Sequence, residues 1–245
     1  MIKLYLSSLN YRTLIVAVIS IVSVFLCYRF KIFFKVDLTL LSIAIIFPLV
    51  FTIRGSFRRR EKALEHLSQY RSAMKTLHYF ITTSTLLDSE VASLKILLEN
   101  IEDKTIMHLK SHECSIKNLD QEVDKIYEFI HTRRETIPKS LKDKLFKYLC
   151  ELHESIDNLN GIHVHRTPRS LKAYCEIFIY LFPIIYTPTI IFNIGENYNQ
   201  LAVYFVVTLT EFILISLYNI QDHLEFAFDE KGLDDIQLNH FKVLR

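Results

Sequence analysis

The chain alternates long apolar blocks with charged segments whose apolar positions recur at helical spacing. Apolar blocks occupy 14–30, 36–53, 173–194 and 201–220. Each is close to the roughly 17–20 residues that cross a ~30 Å hydrocarbon core at 1.5 Å per residue. The connections at 31–35 and 195–200 are very short, so the blocks pair into two antiparallel hairpins, 14–53 and 173–220. The intervening segment, 57–165, reads as helical. Ala63, Leu67, Tyr70, Met74, Leu77 and Ile81 recur at alternating spacings of four and three, the seam of an amphipathic helix. Further stripes run through Val91, Leu94, Leu98 and Ile101, then Ile116, Leu119, Val123, Ile126 and Ile130, then Leu141, Leu145, Leu149, Leu152, Ile156 and Leu159. Pro138 and the stretch at 161–168 punctuate them. No segment alternates with period two. The pattern predicts a single domain over 1–245 of all-α class: four transmembrane helices in two hairpins, a helical cytosolic region and a tail at 221–245.

Composition fits only this segregated arrangement. Half the residues are hydrophobic, yet 23% are charged, too many for a chain wholly in lipid. The net charge of +2 lacks the basic excess of a nucleic-acid-binding domain. With 4 glycines no glycine-rich phosphate loop can be built. Cys27, Cys114, Cys150 and Cys175 are far apart and read as reduced packing residues. The first block is as long as a bilayer crossing and no small-residue cleavage site follows it, so it reads as a retained helix.

Orientation follows the basic residues. Arg54, Arg58, Arg59, Arg60 and Lys62 follow the second block, and Arg166, Arg169 and Lys172 precede the third. The 195–200 loop has no Lys or Arg and carries Glu196. The expectation is a multi-pass cell-membrane protein with both termini and the middle segment in the cytoplasm. Arg29, Lys31 and Lys35 at the first hairpin loop then snorkel to the interface.

Several residues invite a chemical reading. Cys150, His153, His163 and His165 do not follow a standard metal spacing and read as packed or solvated side chains. Glu102 and Asp103 read as a solvated helix face. Glu211 lies near the middle of the fourth block, where an ionised carboxylate costs several kcal/mol. It belongs either to an ion pathway or to an interhelical hydrogen bond. Glu176, one turn inside the third block with Arg169 and Lys172 nearby in sequence, reads as held by an interhelical hydrogen bond to a Thr, Tyr or Asn. Pro183 and Pro188 interrupt the hydrogen-bond ladder of the third block. Leu49, Ile53 and Phe57 recur at i, i+4 and i+8 and form a stripe that continues past Arg54. Around a symmetry axis such side chains would stack into apolar rings that gate by dewetting; otherwise they pack against other helices.

The pattern resembles the bestrophin family of ion channels in three places. RGSFRRREKALEHLSQYR, after the second block, is similar to the family's Gly-Phe-Arg stretch and long helix. GIHVHRTPRSLKAYCEIFIYLFPIIYTP resembles its Thr-Pro turn and kinked third membrane helix. LEFAFDEKGLDDIQLN resembles its acidic segment after the fourth helix. The resemblance implies a homopentamer around an axial pore, passive ion conduction, and an apolar neck at Leu49, Ile53 and Phe57. It also implies calcium as the one candidate cofactor, at Glu225, Asp229, Glu230, Asp234 and Asp235, although Phe226 and Ala227 depart from the family's tail. The expected partners are further copies of the chain, membrane lipids and permeant ions, with no nucleic acid and no enzymatic activity. The alternative is a membrane-anchored helical scaffold or signalling adaptor without conductance.

Overall fold

The computed structural model describes residues 10–84, 86–111, 115–135, 137–195, 199–230 and 235–243. Cys114, Glu196 and Asp234, named above, lie outside the described residues. Among those described the ordered elements are all helical: α1 (Tyr11–Phe30), α2 (Thr39–Thr82), α3 (Asp88–Lys110), α4 (Lys117–Thr132), α5 (Lys139–Val164), α6 (Arg169–Ile194), α7 (Gln200–Glu225) and a 3-10 turn at Leu238–Phe241. Four apolar helical stretches are long enough to cross a membrane.

The helix ends follow local chemistry. Asn10 caps α1 in a capping box with Thr13, and Lys31 closes it in the left-handed conformation at φ 54°. Pro138 and Pro168 stand just ahead of α5 and α6, where a missing N–H costs nothing because the first helical donors have no partner anyway. Gly195 ends α6 at φ 96°, a conformation that glycine adopts without strain. Asp88 and Glu90 sit in the first turn of α3, and His108 and Lys110 in its last, each sign complementing the helix dipole. The 44 residues of α2 extend about 66 Å at 1.5 Å per residue, and the helix runs through Pro48 and Gly55 without interruption.

Two compact units divide the chain: Met1–Phe57 with Thr167–Glu225, and Arg58–Arg166 with Phe226–Arg245. In the first, α1 packs principally against α6 and α7, and those two against each other. The hairpin expectation therefore describes how α1 and α2 are connected better than how they pack. The polar residues of α1 explain the preference. Ser23 donates to the Pro183 carbonyl at 3.0 Å, and Thr13 accepts from the Asn219 amide at 3.2 Å. Such bonds help hold helices together where lipid is as apolar as the side chains. One apolar cluster gathers Val16, Ile45, Leu49, Ile179, Phe182 and Ile215 with their neighbours. A second gathers Val24, Cys27, Ile191, Val203 and Val207.

The ends of α1, α6 and α7 in this unit are joined by an ion-pair network. Arg12 Nη1 donates to Asp222 Oδ2 at 3.2 Å, and its Nε lies 3.6 Å from Glu176 Oε1. Lys172 Nζ reaches Asp222 at 2.5 Å and Glu225 at 2.9 Å. Glu176 thus accepts an interhelical hydrogen bond of the kind expected, from the Tyr218 hydroxyl at 3.4 Å, and pairs as well with Arg12 of α1.

The second unit is a helical cluster built from the predicted stripes. Ala63, Leu67, Tyr70, Met74, Leu77 and Ile81 are all buried, together with Leu94, Leu98 and Ile101, Val123, Ile126 and Ile130, and Leu145 to Leu159 at the predicted positions. Glu122 accepts from Lys104 at 2.6 Å and Lys125 at 2.8 Å, and these donors hold its carboxyl below the usual carboxylate range. Glu102 is buried and accepts the Val243 N–H, while Asp103 pairs with Lys242 at 2.8 Å. Both acids contact the C-terminal tail; Asp103 is on the solvated face expected of it, whereas Glu102 is buried.

Candidate functional site

The membrane-spanning part of α2 has two faces. Ile45, Leu49, Thr52 and Ser56 are buried. Leu49 is 1% exposed within the first apolar cluster, and Ile53 packs partly buried against it. Phe57 is exposed. A straight helix turns about 100° per residue, so each i to i+4 step advances about 40°. The stripe Leu49, Ile53, Phe57 therefore spirals from the interior of its own unit to the outside.

The opposite face is apolar and open. Ile43, Phe47 and Phe51 are exposed to 44%, 56% and 59%, and Leu40 and Val50 flank them, also exposed. The Phe47 and Phe51 rings are 6.0 Å apart between centroids, tilted at 42°. Arg54 and Arg58, both exposed, follow at three and seven residues beyond Phe51, on the same side of the helix. This outward stripe was not legible in the sequence because almost every position from 40 to 51 is apolar, and periodicity vanishes where there is no polar face for contrast.

Pro48 lies between the two phenylalanines. Its ring removes the N–H that would bond the carbonyl of Ala44. The Tyr174 hydroxyl of α6 donates to that carbonyl at 3.2 Å, so the backbone group freed by the proline is satisfied by a neighbouring helix, as a span in lipid requires. Tyr174→Phe should destabilise the protein by about 1–3 kcal/mol. In a Pro48→Ala background the loss should be smaller, because the N–H regained at position 48 can take the carbonyl back. A double-mutant cycle followed by thermal unfolding in detergent measures the difference.

Glu211 is fully buried on α7. Neither carboxylate oxygen has a hydrogen-bond partner among the described residues. Along α7 it sits between Val207 of one apolar cluster and Leu214 and Ile215 of the other. Among the described residues the hydrogen bond to Thr, Tyr or Asn, one of the two expectations for this acid, is not made.

The remaining predicted residues are distributed. Glu225 belongs to the first unit, where its oxygens accept from the Thr167 N–H at 3.2 Å and the Gln221 amide at 3.1 Å, with Lys172 at 2.9 Å. Asp229, Glu230 and Asp235 belong to the second, and Glu230 pairs with Lys110 at 2.8 Å. A calcium site needs six or more oxygens that converge on one cation. Among the described residues, which leave out Asp234, no group of three or more His, Cys, Asp or Glu is placed to hold a metal. Cys150 is exposed, whereas His163 is buried, 5.4 Å from the His108 ring and 6.3 Å from Phe228. The Cys150, His153, His163 and His165 group therefore does not form a site.

No protein-family model matches the sequence, and no curated protein matches it. Solved structures do match. A crystal structure described as a membrane protein variant aligns with 94% of this chain and 93% of its own, at a TM-score of 0.74 and 17% identity. A single-substitution variant of a bacterial bestrophin homologue from Klebsiella pneumoniae aligns over 94% and 93% at TM-score 0.74 and 16% identity. A further variant of that homologue aligns over 94% and 95% with the same score and identity. The protein has a bestrophin-like fold and is a helical membrane protein.

Proposed function

We propose that the protein is a passive ion channel in which several copies, five by analogy with the fold family, surround an axial pore, with both termini of each chain in the cytoplasm. The observation that carries this reading is the outward face of α2. Ile43, Phe47 and Phe51 form an apolar stripe that the chain's own packing leaves open, and Arg54 and Arg58 continue it beyond the span. Arranged around an axis, the first three become stacked apolar rings that gate by dewetting, and the arginines a basic mouth. A residue that lines a pore must be open in its own subunit. Leu49 is buried against Ile45, Ile53 is partly buried and Phe57 is exposed, so this reading centres the neck on Ile43, Phe47 and Phe51, and the neck expected at Leu49, Ile53 and Phe57 stands as its alternative on the same helix. The bestrophin-like fold supports the reading at the level of architecture.

Light scattering of the detergent-solubilised particle, corrected for bound detergent, tests the ring. A mass near five chains is the expected result. A monomer or dimer leaves no ring and favours the membrane-anchored scaffold.

A further inference from the structure

The second unit contains a groove beside the proposed pore mouth, with which it shares Arg58. It has a volume of about 410 Å³ and lies between the start of that unit's α2 segment and the last turns of α5. Arg58, Arg59, Lys62 and His66 form one wall. Arg58, Lys62 and His66 follow one another at i, i+4 and i+8 and so share a side of the helix. Asp157 and Gly161 contribute to the other wall, with His165 at its end.

Charge in the groove is one-sided. Arg58, Arg59 and Lys62 line it beside a single lining carboxylate, Asp157, and Arg59 also has a contact of its own. Lys62 also touches Glu65 at 2.9 Å, but both are exposed, and such a pair contributes about 0–1 kcal/mol, so a stronger anion displaces it. The opening extends to the α5 backbone: a Cβ built on Gly161 meets nothing within 4 Å. Glycine inside a helix is less favourable than nearly any other residue, and here no packing contact requires it. Arg58 lies seven residues, about 10 Å, beyond Phe51 along α2, and His165 lies four residues before Arg169, where α6 begins. Along the chain, both walls are thus segments that adjoin apolar spans.

We propose that this groove binds a phosphomonoester anion, carried by a lipid headgroup or by a soluble phosphorylated molecule. A phosphomonoester presents close to two negative charges and three acceptor oxygens. Arginine forks match that geometry with paired hydrogen bonds, and Lys62 adds a point charge. A single carboxylate ligand would leave most of the cationic charge unmatched.

The test uses the full-length protein in detergent. Phosphatidylinositol 4-phosphate in mixed micelles, against phosphatidylcholine alone, probes the lipid source by native mass spectrometry. Inositol 1,4-bisphosphate probes the soluble source by titration calorimetry. Binding of the lipid alone assigns the groove to headgroups in the membrane; binding of both means that the phosphate chemistry suffices. Arg58→Gln with Arg59→Gln should weaken binding at least about tenfold. Gly161→Leu should do the same by filling the floor without removing charge, while keeping the wild-type unfolding temperature or raising it. Lys75→Gln, a cation on α2 outside the groove, should leave binding unchanged. Failure of both probes to bind, wild-type binding by Gly161→Leu, or an equal loss from Lys75→Gln would overturn the proposal.

Discussion

Replacing Phe47 and Phe51 together by asparagine will raise ion flux through reconstituted protein at least about tenfold, the change produced by lowering a barrier by about 1.4 kcal/mol. The two rings are more than half exposed and leave the α2 face open. An apolar constriction excludes water and hence ions; amide side chains offer donors and acceptors and keep the constriction wet. Leu49→Ala supplies the contrast. Leu49 is buried among Ile45, Ile215 and their neighbours, so truncation leaves a cavity and costs about 2–5 kcal/mol of stability with no gain in flux. A liposome flux assay on both variants separates the faces. Faster flux in Leu49→Ala together with unchanged flux in the asparagine variant would put the pore on the other side of α2.

Glu211→Met should stabilise the protein by about 1–3 kcal/mol, the typical penalty of a buried polar group without a partner. Both oxygens of Glu211 lack a partner among the described residues, and apolar clusters lie to either side along α7. Methionine has a similar length and a flexible, polarizable side chain that fills such gaps. Glu211→Gln keeps a polar head in the same surroundings and should give little gain. Thermal unfolding in detergent reads both. A lower unfolding temperature for Glu211→Met would mean that the carboxyl has a stabilising partner, and the assembled ring would be the place to look for it.

Much of the fold was legible in the sequence wherever apolar and polar residues contrast. The seam from Ala63 to Ile81 and the stripes of α3, α4 and α5 became the core of the second unit, with Val91, Ile116 and Leu141 partly buried at its edge, because one face of each helix is solvated and the other buried. Inside the apolar blocks that contrast disappears. Leu49 and Phe51 are equally hydrophobic, yet one is core and the other open. Which is which depends on where α6 and α7 lie, and no local pattern records that. The same limit hid the pairing of Pro48 with Tyr174, 130 residues apart in the sequence for the hydroxyl and the Ala44 carbonyl it reaches. The signal was nonetheless present, since a proline within a span requires a donor or acceptor from elsewhere. Arg12 was missed for a different reason. It lies just ahead of the first apolar block as read, and only the fold brings it to Glu176 and Asp222. The acids of the tail likewise have partners that no local pattern records: Glu225 is engaged by Lys172 and Glu230 by Lys110.

The most direct test of passive conduction is current through purified wild-type protein in a planar lipid bilayer, recorded on particles whose mass has first been measured. Discrete unitary currents that reverse at the Nernst potential of the permeant ion, with no added energy source, are the predicted result. Particles of five chains that incorporate into the bilayer yet pass no current, both as wild type and with Phe47 and Phe51 replaced by asparagine, would contradict it.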